Sequence, residues 1–277
     1  MTFRFAPRLS RAILSLGLAA SGCAGLSRPP AGIPVSPVRV TTGRVLLRGE
    51  PFEIHLAQPA APRRPDVLVL YASGDGGWFG SAADMFEAIG ANGFCAVGLS
   101  SRGLLRHKLS GGRAPTVSEL ADDYRTIVDH AAAALHLPAD YRVVLTGWSR
   151  GASLAVLTGE SRHAMPSLAG VIAIGLTEDE NLGVAGDTDD DPDDPPAARS
   201  ESSVALYPLL AQIAPRRVAV IQASGDGYLR ASRARELFGT DTESRRFFDV
   251  TARNHRFGGG TQAFALALRA ALEWVVE

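Results

Sequence analysis

The stretch Val143-Val144-Leu145-Thr146-Gly147-Trp148-Ser149-Arg150-Gly151-Ala152-Ser153-Leu154-Ala155-Val156-Leu157 holds three pieces in a row: an apolar run, a Gly-x-Ser-x-Gly pentapeptide and a small-residue helical signal. Placed between a strand and a helix, that pentapeptide is a nucleophile elbow. The serine sits on a strained turn that lifts its hydroxyl clear, and the flanking glycines let strand and helix close together. The pentapeptide alone arises by chance in many chains, so its weight depends on what lies around it.

Upstream, Val67-Leu68-Val69-Leu70-Tyr71 is a continuous apolar strand of the kind buried on both faces, followed by a Gly-rich turn and a helical stretch from Ala82 to Ala91. Phe94 to Leu99 reads as the next strand. Thr116 and Glu119 form a capping-box signature, after which Leu120, Tyr124, Ile127, Ala131 and Leu135 recur at helical spacing. Downstream, Val171 to Leu176, Val218 to Gln222 and Phe247 to Val250 are strand-like, and Gln262 to Val276 reads as a C-terminal helix. Strands alternating with helices predict a mostly parallel central sheet with helices on both faces, which with the elbow is an α/β-hydrolase arrangement. Ahead of it, Val38-Arg39-Val40 and Val45-Leu46-Leu47 flank a Thr-Thr-Gly turn, and Phe52 to Leu56 alternates, so the domain is expected to open at 38 with antiparallel edge strands and to run to 277.

Serine-based ester cleavage needs a base for the hydroxyl proton, a carboxylate to orient that base and amide donors for the oxyanion. In this fold the order along the chain is Ser, acid, His. Asp226 lies in Ala223-Ser224-Gly225-Asp226-Gly227, a Gly-flanked turn at the carboxyl end of a sheet strand, where the acid belongs. His255 lies in Ala252-Arg253-Asn254-His255-Arg256-Phe257, beyond the last strand and before the final helix, where the base belongs. Each piece has an ordinary reading, Asp226 as a turn residue and His255 as a loop histidine, but three falling in the right order make Ser149, Asp226 and His255 the expected triad. Glu178 and Asp179 are lesser candidates for the acid. One oxyanion donor is expected from the backbone of Arg150. The second is expected from the loop Ser73-Gly74-Asp75-Gly76-Gly77-Trp78, assigned to Asp75 with Gly76 as the near alternative.

No cofactor is implied. A dinucleotide fingerprint fails, because after Gly74 and Gly76 the third glycine would fall on Phe79, and Lys108 has no glycine loop before it. Asp187, Asp189 and Asp191 mimic the start of an EF-hand loop, yet Pro192 stands at the glycine position and Ala198 at the closing glutamate, so no metal site is expected. The segment 177 to 200 carries the acidic, Pro-rich run Asp187 to Pro196, fits no element and reads as an inserted, exposed loop.

The 277 residues, 46% hydrophobic and 21% charged, suit one globular domain and argue against disorder or a multi-pass membrane protein. The N-terminus is of another kind. Arg4, Arg8 and Arg11 precede the apolar stretch Ala12 to Ala20, too short to span a bilayer, and Ala20-Ser21-Gly22-Cys23 resembles a bacterial lipobox whose cysteine is acylated and becomes the first mature residue. Residues 1 to 22 are therefore expected to be a lipoprotein signal peptide, and 23 to 37, rich in Pro, Gly and Ser, a tether. Ala24, rather than Asp, resembles lipoproteins sent to the outer membrane. Without the three signal arginines the formal charge falls from −1 to about −4, so nucleic acid is not an expected partner. With Cys23 acylated, Cys95 stands alone in an apolar run and is expected to be a buried strand residue.

Ser-Gly-Asp-Gly-Gly-Trp at 73 to 78, the Gly-x-Ser-x-Gly-Ala elbow at 147 to 152, and His255 with Phe257-Gly258-Gly259 resemble the bacterial virulence VirJ/AcvB family of periplasmic α/β-hydrolases, from about Asp66 onward. The resemblance implies Ser149 as nucleophile, Asp226 as acid, His255 as base and the 73 to 78 loop as oxyanion support. It also implies a periplasmic hydrolase of aminoacyl-phosphatidylglycerol, chiefly the lysyl ester, with a link to secretion of virulence factors. Two departures stand out: Trp148 and Arg150 surround Ser149 where Tyr and Phe are expected, and the acidic loop is a local addition. A general carboxylesterase or thioesterase, and a secretion-associated binding protein without turnover, are the rival readings.

Overall fold

The computed structural model describes residues 37–107, 115–161, 165–181 and 203–277. Cys23 and the signal and tether segments, Lys108, His163 and the acidic run Asp187 to Pro196 lie outside the described residues. The described residues all belong to the compact unit Pro34–Glu277.

An antiparallel hairpin opens the fold, β1 (Val38–Leu47) against β2 (Glu50–Pro59). The turn is not at Thr41-Thr42-Gly43, where the sequence placed it. Gly43 pairs with Ile54 inside a continuous strand, and the chain reverses at Arg48 and Gly49, with φ of 53° and 83°. Two consecutive positive φ values make the two-residue turn whose twist suits a hairpin. The β-branched threonines fit a strand without strain.

The alternating pattern follows as expected. It comprises β3 (Val67–Ala72), α1 (Ser81–Ala91), β4 (Cys95–Leu99), α2 (Ser101–Arg106), α3 (Val117–Ala134), β5 (Arg142–Trp148), α4 (Arg150–Glu160) and β6 (Leu168–Ile174). After a small antiparallel pair, β7 (Asp179–Glu180) and β8 (Val204–Ala205), and a 3-10 turn at Tyr207–Ala211, come β9 (Arg217–Ala223), α5 (Ala231–Phe238), β10 (Arg245–Val250) and α6 (Thr261–Val275). The main sheet has eight strands in the order β1-β2-β4-β3-β5-β6-β9-β10, parallel from β4 to β10. That is the α/β-hydrolase arrangement expected from the sequence.

Period-two alternation along the strands sorts the core into two layers. Leu68, Leu70 and Ala72 of β3 pack with Tyr124, Ile127, Leu154 and Phe238 of α3, α4 and α5. Val67, Val69 and Tyr71 face the other way, onto Phe86 and Ile89 of α1 and Leu268 and Leu272 of α6. Each fully buried side chain of this size is worth about 1.5–3 kcal/mol, so β3 and β5 are held by what covers both faces. Cys95 is buried in β4, as expected. At the start of α3 the capping box is complete: the Glu119 amide donates to Thr116 Oγ1 at 3.3 Å and the Thr116 amide donates to Glu119 Oε2 at 2.8 Å. No helix among the described residues is long and apolar enough to cross a membrane.

Candidate active site

β5 runs straight into α4, and Ser149 is the single residue between them, with φ 56° and ψ −123°. A non-glycine residue held there is strained. The two glycines make the bend sterically feasible: a Cβ on Gly147 would lie 2.3 Å from the Gly151 carbonyl carbon, and one on Gly151 would lie 2.0 Å from the Ala72 carbonyl oxygen. The first amides of a helix have no intrahelical acceptor, so the N-terminus of α4 presents donors beside the serine.

Asp226 and His255 meet. His255 Nδ1 lies 2.6 Å from Asp226 Oδ2. Since a carboxylate only accepts, Nδ1 carries the proton and Nε2 keeps its lone pair. Asp226 is wholly buried, and protein donors surround it: Gln222 Nε2 donates to Oδ2 at 3.0 Å, and the amides of Tyr228 and Leu229 donate to Oδ1 at 2.9 and 3.4 Å. A buried charge is tolerable only with such satisfaction.

The elbow and the histidine sit at the same strand end. The Ser149 amide donates to Ile174 O at 2.9 Å, and on the next residue, Gly175, a Cβ would come within 2.8 Å of the imidazole Cε1. Trp148 Nε1 donates to the His255 carbonyl at 3.1 Å, and the Tyr228 ring packs on the imidazole at 4.7 Å between centroids. Held this way, His255 Nε2 is buried and has no hydrogen-bond partner among the described residues. The lesser acid candidates face elsewhere: Glu178 lies 3.9 Å from Arg233, and Asp179 accepts from Ser203.

The loop after β3 lies against the nucleophile. A Cβ on Gly74 would be 3.2 Å from both Ser149 Cβ and the Trp148 ring. The Gly77 amide donates to Gly74 O at 3.1 Å to close a turn around Asp75 and Gly76, and Ser101 Oγ donates to the same carbonyl at 3.1 Å. Trp78 anchors the far end, stacked on His55 at 4.1 Å and packed against Phe86. Burial in this stack lowers the His55 pKa, against an opposing pull from Glu53.

Sequence reasoning missed Glu180. Its carboxylate is buried, with Oε1 3.2 Å from Arg150 Nε, and the same Nε is 2.7 Å from Asp75 Oδ1. Burial drives its pKa up to about 7; Arg150 opposes that rise and Asp75 adds to it. The available signal was Arg150 itself, since an arginine at the buried start of the elbow helix needs a carboxylate. No cluster of metal-ligating side chains occurs among the described residues. A hollow of about 500 Å³ lined by Asp129, His136 and Tyr141 lies at the amino end of β5, the opposite end from Ser149.

The elbow, the Ser-Gly-Asp-Gly-Gly-Trp loop and the elements that carry them fall within one matched region. Residues 66–179 match the family model described as bacterial virulence protein (VirJ). No curated protein matches the chain. The VirJ-type segment spans β3 to β7, so Asp226 and His255 lie beyond it. Among solved structures the chain is similar to the esterase domain of a Rhodothermus marinus protein, at 16% identity over 86% of this chain and 98% of that one, with a TM-score of 0.57. It is similar to the Pyrococcus furiosus esterase Pf2001, at 12% identity over 85% and 92%, TM-score 0.58. It also resembles an a/b serine hydrolase without lid from Xanthomonas campestris, at 14% identity over 88% and 96%, TM-score 0.51. At these identities the likeness is one of fold. The chain has the α/β-hydrolase fold.

Proposed function

We propose that this protein is a serine ester hydrolase with Ser149 as nucleophile, His255 as base and Asp226 as the acid that orients it. The observation that carries the reading is the buried Nε2 of His255, which has no hydrogen-bond partner among the described residues, backed by Asp226 at 2.6 Å and placed at the same strand end as the elbow serine with φ 56°. Ser149 Oγ attacks the ester carbonyl while His255 Nε2 takes its proton, and the imidazolium so formed is stabilised by Asp226. The oxyanion forms against the amides of Arg150 and Asp75, with Gly76 the alternative second donor. Collapse breaks the ester C–O bond as Nε2–H protonates the leaving alcohol, and water, deprotonated by the same nitrogen, then frees the acid from Ser149.

For the substrate, the VirJ match over 66–179 supports an aminoacyl ester of a membrane phospholipid, chiefly lysyl-phosphatidylglycerol. The lipobox-like Ala20-Ser21-Gly22-Cys23 supports a protein that is itself an outer-membrane lipoprotein acylated at Cys23 and acts at the periplasmic face of a bacterial membrane, and the resemblance to the VirJ/AcvB family supports a secretion-system protein as a further partner. A second reading, a general carboxylesterase, is favoured by the esterases among the similar folds.

The test is release of free amino acid from vesicles containing lysyl- or alanyl-phosphatidylglycerol, beside hydrolysis of a short chromogenic ester. Ser149→Ala and His255→Ala should each lower turnover at least about a thousandfold, roughly 4 kcal/mol, and together cost little more than either, because triad members act as a unit. Turnover within tenfold of wild type in Ser149→Ala excludes this site. Faster turnover of the short ester than of either lipid selects the second reading, and failure of a fluorophosphonate to label Ser149 selects a binding protein without turnover.

A further inference from the structure

Among the charged clusters outside the triad, the group Asp75, Arg150 and Glu180 lies against the elbow, and the proposed reaction does not use its side chains. Arg150 Nε and Asp75 Oδ1 are both shut off from solvent and lie 2.7 Å apart as an ion pair that is not aligned as a hydrogen bond, and Glu180 Oε1 approaches the same Nε at 3.2 Å. The three come from three separate elements: the β3–α1 loop, the first turn of α4 and the two-residue strand β7. Glu180 is itself fixed by hydrogen bonds from the Ser153 side chain and the Asn181 backbone. The arginine is therefore held from behind by an acid seated on Ser153 of α4, and it reaches across to the loop.

The residues at the two ends of this ion pair are the two whose backbone amides are assigned to the oxyanion. We infer that Arg150 and Asp75 form a side-chain clamp that sets the separation of the two oxyanion donors, with Glu180 orienting the guanidinium. Gly74 and Gly76 give the loop many accessible backbone conformations, and the turn around Asp75 is closed by the Gly77–Gly74 bond. Without a crosslink to α4 the Asp75 amide would wander relative to the Arg150 amide. A donor displaced from its aim forfeits stabilisation of the transition state and leaves ground-state binding nearly intact. Arg150 and Asp75 are positioning residues in their side chains, whatever their amides do.

This inference rests on the serine hydrolase reading, and the test separates the two. Steady-state hydrolysis of p-nitrophenyl acetate is measured for wild type, Arg150→Gln, Asp75→Asn, the double variant, Arg150→Lys and Ser149→Ala, with inhibition by a trifluoromethyl ketone, which forms an oxyanion on the serine. Arg150→Gln and Asp75→Asn should each lower kcat at least about tenfold with KM within about twofold, since lost aim acts on the transition state alone. The double variant should be no worse than the poorer single within about threefold, the signature of one shared interaction. Affinity for the ketone should fall in step with kcat, and Arg150→Lys should recover part of both. Should Arg150→Gln fold poorly, Asp75→Asn, whose side chain is 44% exposed, carries the same comparison. Singles with kcat within twofold of wild type, losses that multiply in the double, or a change confined to KM overturn the clamp while Ser149→Ala keeps the hydrolase reading. Wild-type turnover equal to that of Ser149→Ala overturns both.

Discussion

Glu180 is a carboxyl group in a place that disfavours its charge. Burial is the dominant cause and raises its pKa from an ordinary 4.5 to about 7, against the opposing pull of Arg150. The folded protein thus holds this proton more tightly than the unfolded chain. The stability it contributes is fully present below pH 4.5 and is lost as pH rises through 7. Glu180→Gln keeps the shape of the neutral form and cannot titrate. The difference in Tm, variant minus wild type, should therefore be at least about 2 °C more favourable at pH 8 than at pH 5, on a scale where 1 kcal/mol moves a domain of this size by about 2–4 °C. Equal differences at the two pH values would show that the carboxyl titrates normally. At this scale the sequence was most legible where chain order carries meaning. The elbow at Ser149 and the neighbouring pair Asp226 and His255 were legible because each falls at a defined point after a strand, and the structure brings Asp226 to His255 at 2.6 Å; their joint role as a triad is the proposal. Glu180 and Gly175 were not legible, because the residues they meet, Arg150 for one and His255 for the other, are far from them in sequence.

Elements were legible in proportion to how much of their pattern is local. The helix at Val117–Ala134 announced itself through a capping box and a five-residue apolar stripe, both of which it uses. The hairpin turn was misplaced because Thr-Thr-Gly resembles a turn by composition, whereas the pairing of Leu47 with Glu50 leaves only Arg48 and Gly49 to reverse the chain. Short elements such as α2, β7 and β8 lack the length for any period to show, and the eight-residue α5 went unread although Ala231, Ala234 and Phe238 fall on one buried face. The elbow is the element where close approach is most demanding. A Cβ on Gly151 would sit 2.0 Å from Ala72 O, against backbone that cannot yield cheaply, while a Cβ on Gly227 meets nothing within 4 Å. Gly151→Ala should destabilise by about 3 kcal/mol or more, the upper range for overpacking, and should abolish ester turnover with it. Gly227→Ala, in the turn that carries Asp226, should stay within about 0.5 kcal/mol of wild type. Urea midpoints measured on the two variants decide the matter, and equal midpoints would contradict the packing described for the elbow.

The whole molecule sets how the site meets its substrate. β7 and β8 pair residues 179 and 180 with 205 and 204, so the segment between them leaves and returns at one point, beside the Glu180 to Arg150 contact. Six aspartates lie in that segment, from Asp187 to Asp194. A cationic ester would be drawn to such a field and a neutral one would not, with an advantage screened over about 8 Å at physiological salt. Excising Asp187 to Pro196 should lower kcat/KM for lysyl-phosphatidylglycerol relative to the alanyl ester, more at low salt than at high; a constant ratio at low salt would mean that the segment does not select.

The proposed attachment to a bilayer would depend on the length and chemistry of the N-terminal segment. The apolar stretch Ala12 to Ala20 is nine residues against the roughly 20 a spanning helix needs. No helix among the described residues is long and apolar enough to take its place. Acylation of Cys23, at the end of Ala20-Ser21-Gly22, would supply the proposed anchor. One acyl chain gives marginal, reversible binding, since each buried CH₂ contributes about 0.8 kcal/mol, while two chains hold stably. A diacylated Cys23 would therefore keep the domain at the surface that contains a phospholipid ester, and the Pro- and Gly-rich residues that follow would give it reach. Cys23→Ser in the full chain should shift the protein from the detergent phase to the aqueous phase in a phase-partition assay, or leave it as an uncleaved precursor of higher mass. Its turnover of a soluble short ester should be unchanged, because the triad and its loops lie far along the chain, while its turnover of vesicle-borne lipid should fall at least about tenfold as the local substrate concentration is lost. Partition identical to wild type would make this an ordinary secreted hydrolase, reaching any lipid substrate by collision alone.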